Sequence, residues 1–432
     1  MFNWKEKLVF KGDKILWYVI IGLMIASVMV VYSSTGKLAY KVHGGNTAYF
    51  LIKQLLLIGG CFFVMLTLQS IHYKYFLAFS SIILGMSFVF LVWAEYFGVN
   101  LNDAGRWLRI PIIGFTFQPS EMAKLGVIMY TARMLSFYQG DYECDKQVLR
   151  EMIWVLPVLG VIFMNNFSTS VLLGGVCFVM LFIGRVDLNV LGKLMGVLVI
   201  AAILFVTILL LVPKSSLERL WRLPTIRDRI ESFLGIGEVS RDDTYQADEA
   251  KIAVAKGGLL GVGPGNSVQR NFLPHPYSDF IFAIIIEEYG LSGGMVIMVL
   301  YLILLYRVGV IVRRCTRTFP AILVAGLMLC VLFQALINMG VCVGLFPVTG
   351  QPLPLVSMGG TSLLFTSAAF GMVLSVSHTF SPEGEREARK KEREKQRMMQ
   401  QEETSMMHEL EKDEFGGYLE NEKMEEHEES YY

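Results

Sequence analysis

Hydrophobic residues lie in long runs along the chain, and short polar segments separate these runs. A helix of about 20 apolar residues crosses the roughly 30 Å hydrocarbon core of a bilayer. The runs therefore predict an all-α polytopic membrane protein. No small-residue cleavage pattern follows the first run, so we expect it to be retained as a helix. The predicted spanning segments are 15–32, 48–69, 76–97, 119–137, 188–212, 279–306, 320–343 and 361–378.

The apolar stretch 152–183 is too long for one crossing, and Asn165, Asn166 and Ser168 interrupt it. Two short crossings that form a hairpin give ten crossings in total. The short inside segments then hold fourteen Lys and Arg residues, and the short outside segments hold four. This bias follows the positive-inside rule, whereas a single crossing would turn the arginines of 307–317 outward. We therefore predict ten transmembrane helices with both termini in the cytoplasm.

This arrangement predicts three parts: a cytoplasmic N-terminus over 1–14, a membrane domain over 15–381 and a charged cytoplasmic tail over 382–432. One large extracytoplasmic loop covers 213–277 and is polar. Only 18% of the residues are charged and 54% are hydrophobic, which excludes an ordinary cytosolic enzyme. Equal numbers of acidic and basic residues hide a segregation, because the body carries a net +8 and the tail a net −8.

The tail begins with a basic stretch over 386–397, which could contact anionic headgroups, and then becomes acidic. A solvated tail without chemistry is the favoured interpretation. The six cysteines show neither CxxC spacing nor pairing with histidine, so we expect small core residues and no disulfide framework or metal site.

Several polar residues fall inside the predicted spans, where ionisable groups are costly and often functional. Glu121 and Lys124 are three residues apart and share one helix face, as a structural ion pair or as the lining of a functional cavity. Gln334 and Asn338 are four apart, which favours hydrogen bonds between packed helices. Glu287 and Glu288 are adjacent and point in different directions, so at least one needs a partner, a cavity or a proton.

The end of the outer loop holds the densest group of candidate residues. Five glycines between 257 and 265 predict a tight irregular turn, but no strand precedes them and no Gly-Lys-Ser/Thr follows, so a nucleotide site is disfavoured. Asp279 precedes a predicted span and could act simply as its N-cap. His275 alone makes no metal site. The uncharged segment 344–360 has three prolines and four glycines, which is typical of a buried re-entrant loop.

Taken together, several strings resemble the FtsW/RodA family, also called SEDS proteins, in order from about residue 17 to 378. The matching strings are RWL at 106–108, FQPSEMAK at 117–124, YQ at 245–246, GG at 257–258, GVGPG at 261–265, FLPHPYSDFIFA at 272–283, EEYGL at 287–291 and PVTGQPLPLVSMGG at 347–360. They are long enough to be specific.

The resemblance implies a peptidoglycan glycosyltransferase that polymerises lipid II on the outer face of the cytoplasmic membrane. The acid that matches Asp279 is the essential carboxylate of the family, and we expect it to activate the acceptor 4-hydroxyl. A divalent cation (Mg or Mn), with ligands unknown, or basic side chains would neutralise the departing diphosphate; no nucleotide is implied. The residues expected to bind substrate or the leaving group are Arg106, Trp107, Glu121, Lys124, Arg229, Tyr245, Gln246, Arg270 and Ser357. An ordinary interfacial position is the alternative for Trp107.

The chain also departs from the family pattern. Where QPDLGT is common it has NNFST at 165–169 and so loses a carboxylate, and Ser278 replaces a threonine. Glu249, Ala250 and Lys251 stand where Gln-Ser is usual. The first departure favours the division branch, and hence septal synthesis, over the elongation branch that controls cell shape.

Two other classes of function stay open in the sequence. Glu121, Lys124, Glu287 and Glu288 could line the headgroup path of a lipid II flippase. A non-catalytic division scaffold, recruited through the tail, is the third alternative. The family implies a class B penicillin-binding transpeptidase as partner, and this chain has no transpeptidase motif of its own. Other division proteins could bind the tail, and no nucleic acid is expected.

Overall fold

The computed structural model describes residues 10–36, 38, 46–101, 104–109, 116–138, 144–212, 223–234 and 241–382, with short runs between 384 and 407. The described chain is mostly helical. The helices are α1 Lys14–Ser34, α2 Thr47–Leu68, α3 Tyr73–Phe97, α4 Pro119–Tyr138, α5 Cys144–Met152, α6 Val155–Asn165, α7 Phe167–Ile183, α8 Leu188–Leu211, α9 Leu223–Leu234, α10 Arg241–Gly257, α11 Ile281–Arg314, α12 Thr318–Cys342 and α13 Thr361–Thr379.

The apolar runs form helices close to the predicted positions, and seven helices of the described residues are long and apolar enough to cross a membrane. These seven are α1, α2, α3, α8, α11, α12 and α13. The stretch 152–183 is broken as predicted, because Asn166 separates α6 from α7 and its side chain accepts a hydrogen bond from the Thr169 amide at 3.3 Å. The seven long helices, together with α4, α6 and α7, correspond to the ten segments that the sequence predicts to cross.

The core lies where α4, α12 and α13 meet their neighbours. About three quarters of the most apolar stretch of α12 and of α13 is buried inside the protein, whereas the corresponding stretch of α8 is almost entirely uncovered. Such an uncovered apolar helix requires a lipid environment, since water would leave its side chains hydrated. Asp13 caps α1 and forms an ion pair with Arg307, which joins the start of α1 to α11.

Helix α11 is broken at Gly290, whose φ of +72° is outside the helical region. The first piece, 281–289, consists almost entirely of buried residues. The second piece, 291–314, is about 36 Å long at 1.5 Å per residue, so it is long enough to cross a bilayer by itself. The helix at the predicted span 279–306 begins at Ile281 and ends at Arg314, and the long apolar run hides a break that favours glycine.

A small antiparallel sheet corrects the all-α prediction. Its strands are β1 Val99–Leu101, β2 Ala104–Arg109 and β3 Thr116–Phe117, in the order β1-β2-β3. The ring of Phe117 makes an edge contact with Phe90 of α3 at 5.7 Å between centroids. These strands are too short for a hydrophobic pattern to reveal them, and their stability depends on packing against a helix.

The segment 344–360 folds back into the helices, as its composition predicts. The Tyr301 hydroxyl of α11 donates to the Pro354 carbonyl, and the Gln334 side chain of α12 donates to the Pro352 carbonyl at 2.9 Å. Buried irregular backbone needs such partners. We call residues 344–360 the re-entrant loop. The end of the bundle at which this loop enters is called the Asp279 end.

The chain divides into two compact units, Met1–His378 and Thr379–Tyr432. The first holds the helical bundle. The basic stretch predicted at 386–397 lies only partly within the described residues, and most of the acidic remainder lies outside them, as does the segment 1–9.

Candidate functional site

Asp279 lies at the start of α11, where the chain leaves a series of turns rich in proline and enters the bundle. It is half-buried, and the Ser278 hydroxyl donates to its Oδ1 at 2.8 Å. The N-cap interpretation is wrong, because Phe280 occupies the cap position and α11 begins at Ile281.

Three consecutive carbonyls fix the backbone under Asp279. The Tyr277 carbonyl accepts from the Met358 amide at 2.9 Å, and the Ser278 carbonyl accepts from the Ser357 hydroxyl at 2.6 Å. The Asp279 carbonyl accepts from Asn338 Nδ2 at 2.7 Å. The re-entrant loop and α12 therefore hold this segment in one place, which is what a general base requires.

The carboxylate of Asp279 faces the re-entrant loop at Gly350. A Cβ atom built on Gly350 would lie 3.5 Å from Asp279 Oδ2, and the positive φ of +65° there favours glycine. Burial, and then the negative charge of Asp279, raise the pKa of the Tyr277 phenol. That phenol stays neutral at physiological pH and can donate a hydrogen bond beside the carboxylate.

Glu121 and Lys124 form an ion pair in the interior, with Lys124 Nζ 2.8 Å from Glu121 Oε2 and both side chains less than a tenth exposed. Lys124 also donates to Gln334 Oε1 at 3.2 Å, and Gln334 holds the Pro352 carbonyl of the re-entrant loop. The pair lines a small cavity together with Phe365 and other side chains of α12 and α13. Both open interpretations of the pair are compatible with this position.

Glu287 and Glu288 are completely buried, and both find partners, where the sequence required a partner, a cavity or a proton for at least one. Glu287 accepts from the Ser267 hydroxyl and from the amides of Val268 and Gln269, at 3.0 Å for Val268. Glu288 accepts from the Ser33 hydroxyl of α1. Both carboxylates therefore bind the protein's own groups.

The glycine-rich turn packs directly on the break in α11. Leu291 donates its amide to the Gly258 carbonyl at 2.9 Å, and Val262 donates to the Glu287 carbonyl at 2.9 Å. The turn thus satisfies backbone groups that the break at Gly290 leaves without helical partners. Its role in the structure is to support α11.

The remaining predicted binding residues occupy different places. Arg270 donates to the Ser33 carbonyl at 2.8 Å, so its guanidinium is directed to the end of α1. The Ser357 hydroxyl makes two hydrogen bonds to the backbone: it donates to the Ser278 carbonyl and accepts from the Leu353 amide at 2.8 Å. Tyr245 is exposed on α10 and Gln246 beside it is half-buried. Trp107 is half-buried on β2 opposite Val99. The side chains of Arg106 and Arg229 lie outside the described residues.

The described residues contain no cluster of three or more His, Cys, Asp or Glu side chains able to hold a metal ion. Magnesium is often held by one or two carboxylates together with substrate phosphates, so a dedicated protein cage is not required. Such an ion would supply positive charge to a diphosphate leaving group.

Sequence reasoning assigned Asn338 to packing, and it left out Gln351 and Thr169. Asn338 contacts the Asp279 carbonyl, and the Gln351 side chain donates to the Thr169 hydroxyl at 2.6 Å. The sequence signal for Asn338 was its side-chain amide one helical turn after that of Gln334, in an otherwise apolar helix. Spacing alone does not say which backbone an amide will meet.

The fold and the site define a multi-pass membrane protein that presents a half-buried acid at one end of its helical bundle, next to a re-entrant loop. Residues 13–381 match the FtsW/RodA/SpoVE family of cell cycle proteins. The chain belongs to this family, which confirms the resemblance in its motifs.

Named relatives cover most of the chain. The probable peptidoglycan glycosyltransferase FtsW of Dichelobacter nodosus is 33% identical over 84% of this chain and 89% of its own length. The peptidoglycan glycosyltransferase MrdB of Escherichia coli K12 is 30% identical over 85% of this chain and 93% of its own length. Stage V sporulation protein E of Bacillus subtilis is 31% identical over 84% and 96%.

Solved structures show the same fold. A chain from a peptidoglycan synthase complex that coordinates polymerization and crosslinking is similar with a TM-score of 0.63 and 23% identity, covering 86% of this chain and 99% of that chain. The rod shape determining protein RodA of Thermus thermophilus is similar with a TM-score of 0.59 and 22% identity, covering 85% and 97%.

Proposed function

We propose that this protein is a peptidoglycan glycosyltransferase that polymerises lipid II into glycan strands, with Asp279 as the general base. The observation that carries the proposal is the half-buried Asp279 carboxylate, fixed by its own backbone at the rim of an apolar bundle. The glycosyltransferase names of the FtsW and MrdB relatives support the activity.

In the reaction, Asp279 takes the proton of the acceptor sugar's 4-hydroxyl while that oxygen attacks the anomeric carbon of the donor. The bond from this carbon to the diphosphate oxygen breaks, undecaprenyl diphosphate leaves, and the anomeric configuration is inverted. A sugar hydroxyl is a poor nucleophile, so a positioned base contributes about 100-fold to 10,000-fold in rate. A divalent ion or basic side chains would neutralise the departing diphosphate.

The membrane arrangement belongs to the same proposal: ten crossings, both termini in the cytoplasm, and the Asp279 end facing outward. The Lys and Arg bias of the short segments supports this orientation. The uncovered apolar surface of α8 supports contact with lipid along one side of the bundle. A substrate with a long isoprenoid chain needs such a surface, because its hydrocarbon stays in the bilayer while its sugars react at the rim.

We further propose that the protein acts in septal synthesis during cell division, beside a transpeptidase that crosslinks the strands. The relatives named FtsW and the sequence at 165–169 favour the division branch, while MrdB and RodA keep the elongation branch as the alternative. The similar chain from a complex that coordinates polymerization and crosslinking supports a crosslinking partner.

A polymerisation assay tests the base assignment. Purified protein in detergent, with and without the co-purified transpeptidase, is given fluorescent lipid II, and the glycan products are separated by size. Asp279→Asn should abolish the ladders at equal expression, because the amide cannot accept the proton. The control is Asp248→Asn, which changes an exposed carboxylate on α10 and should leave the ladders intact. Full activity in Asp279→Asn would reject Asp279 as the base.

The flippase alternative predicts a different outcome in the same preparation. Glu287 and Glu288 bind protein groups and are completely buried, which favours the enzyme over an open headgroup path. Reconstituted vesicles with labelled lipid II separate the two functions. Headgroup translocation without ladders would support transport and reject polymerisation.

A further inference from the structure

Asn338 is buried in α12, with 1% of its surface exposed, yet both donors of its side-chain amide are directed at backbone outside that helix. Nδ2 lies 2.7 Å from the Asp279 carbonyl and 2.7 Å from the Gln351 carbonyl. Because both neighbours are acceptors, the NH₂ end of the amide must face them, which fixes the orientation of the side chain.

We propose that Asn338 is the positioning residue that sets the separation between the Asp279 carboxylate and the re-entrant loop. This inference rests on the proposed function of Asp279. Asn338 joins two backbone segments that are distant in sequence, one beneath the carboxylate and one a single residue after Gly350. Gly350 is the point at which the loop approaches Asp279 Oδ2.

Ser357 and the Met358 amide complete the attachment from the other side of the loop. They hold the carbonyls of Ser278 and Tyr277 at 2.6 Å and 2.9 Å. We call Asn338, Ser357 and Met358 the carbonyl clamp. Its other members belong to the loop itself, so only Asn338 attaches both the loop and Asp279 to a spanning helix.

The carbonyl clamp leaves the carboxylate untouched. The three hydrogen bonds that it donates to residues 277–279 all end on main-chain oxygens, while the Asp279 Oδ1 atom accepts from the Ser278 hydroxyl. Loss of Asn338 therefore shifts the base relative to the bound acceptor without removing the base. Displacements of about 1 Å at a reacting group lower rates by roughly 100-fold, whereas substrate binding through other parts of the protein is retained.

The test compares Asn338→Ala with a matched buried amide. Gln54 is 1% exposed on α2 and donates one hydrogen bond to the Ser27 hydroxyl at 2.8 Å. Its Oε1, like Asn338 Oδ1, has no hydrogen-bond partner among the described residues. Gln54→Ala therefore removes a similar buried amide far along the chain from Asp279.

Glycan polymerisation is measured as kcat and KM for lipid II, and thermal unfolding in detergent is followed for each variant. Asn338→Ala should lower kcat about 10-fold to 100-fold with KM within about twofold of wild type. Gln54→Ala should lower the unfolding midpoint by a comparable amount and leave kcat unchanged. Equal kcat values for the two variants would overturn the proposal, as would a loss in Asn338→Ala that appears only in KM.

If Asn338→Ala does not fold, Ser357→Ala provides a second test. This variant removes the hydrogen bond to the Ser278 carbonyl and keeps Asn338 in place. It should lower kcat by a smaller factor at unchanged KM, and wild-type kcat in this variant would overturn the proposal. Asp279→Asn distinguishes the two levels of inference. An active Asp279→Asn rejects the base itself, whereas an inactive Asp279→Asn beside a fully active Asn338→Ala rejects only the positioning role.

Discussion

At the scale of single residues, Glu121 and Lys124 place two opposite charges together in the interior of the protein. Lys124 and Glu121 lie 2.8 Å apart with little exposure, and Lys124 reaches Gln334 as well. Two unpaired charges in such a place would each cost several kcal/mol, but paired charges are tolerated. A buried ion pair adds little net stability, so its position beside the re-entrant loop is the more informative feature.

A prediction at this scale separates the structural role of the pair from its functional role. Lys124→Met should destabilise the fold by about 3–5 kcal/mol, because it leaves the Glu121 charge buried without a partner. Adding Glu121→Gln should restore most of that stability, since no charge then remains. We expect the double variant to stay inactive in the ladder assay. An active double variant would assign the pair to packing.

The control for this experiment is another ion pair with the same spacing. Lys251 and Asp248 are also three residues apart, at 3.2 Å, and both side chains are about half exposed. Lys251→Met should change the unfolding free energy by less than about 1 kcal/mol.

At the scale of elements, the glycine-rich turn and the break in α11 form one unit. A Cβ atom on Gly257 would lie 2.0 Å from the Ile286 carbonyl oxygen, and one on Gly290 would lie 2.3 Å from that of Leu259. The two segments thus approach with backbone against backbone, which no larger residue permits. This contact holds the piece 281–289, and with it Asp279, at its angle to the rest of α11.

Gly290→Ala should therefore lower the yield of folded protein sharply, because it combines a positive φ of +72° with a clash against main-chain atoms. Gly309→Ala is the control, since it changes a glycine of the same helix that has nothing within 4 Å of the added carbon. Fluorescence-detected size-exclusion chromatography of both variants measures the result. A monodisperse Gly290→Ala with wild-type thermal stability would contradict the packing described for this unit.

At the scale of the whole molecule, the far end of α11 is joined to the beginning of α1. Arg307 makes two contacts with Asp13, one of them at 3.2 Å between Nε and Oδ1, and Asp13 also caps α1 through the Leu16 amide. At the other end of α1, Ser33 meets Glu288 and Arg270. Helix α1 is thus fastened at both ends to α11, which begins two residues after Asp279.

Arg307→Met should lower stability by about 3 kcal/mol, because the Asp13 carboxylate keeps only its capping bond in a buried position. Combining it with Asp13→Ser should recover part of the loss, since serine caps a helix without carrying charge. Arg313→Met, at an exposed position of α11, is the control. Thermal unfolding of the four proteins in detergent provides the measurement, and equal midpoints for Arg307→Met and Arg313→Met would contradict a structural role for this ion pair.

The length of the continuous apolar runs determined the positions of the helices, because lipid requires every spanning segment to satisfy its own backbone. The break at Asn166 and the re-entrant loop followed from polar residues and from glycine and proline at fixed places in the sequence. The motifs around Asp279 and the family could also be read from the sequence. Each of these depends on residues that are close together along the chain.

Only the tertiary structure decided which distant groups meet. The break at Gly290 needs the glycine-rich turn against it, and the short strands around Trp107 need α3 behind them. The role of Asn338 depends on two carbonyls, at Asp279 and Gln351, that are brought together by folding. A side-chain amide in a helix has the same sequence pattern whichever backbone it binds, so its partner is fixed by packing alone.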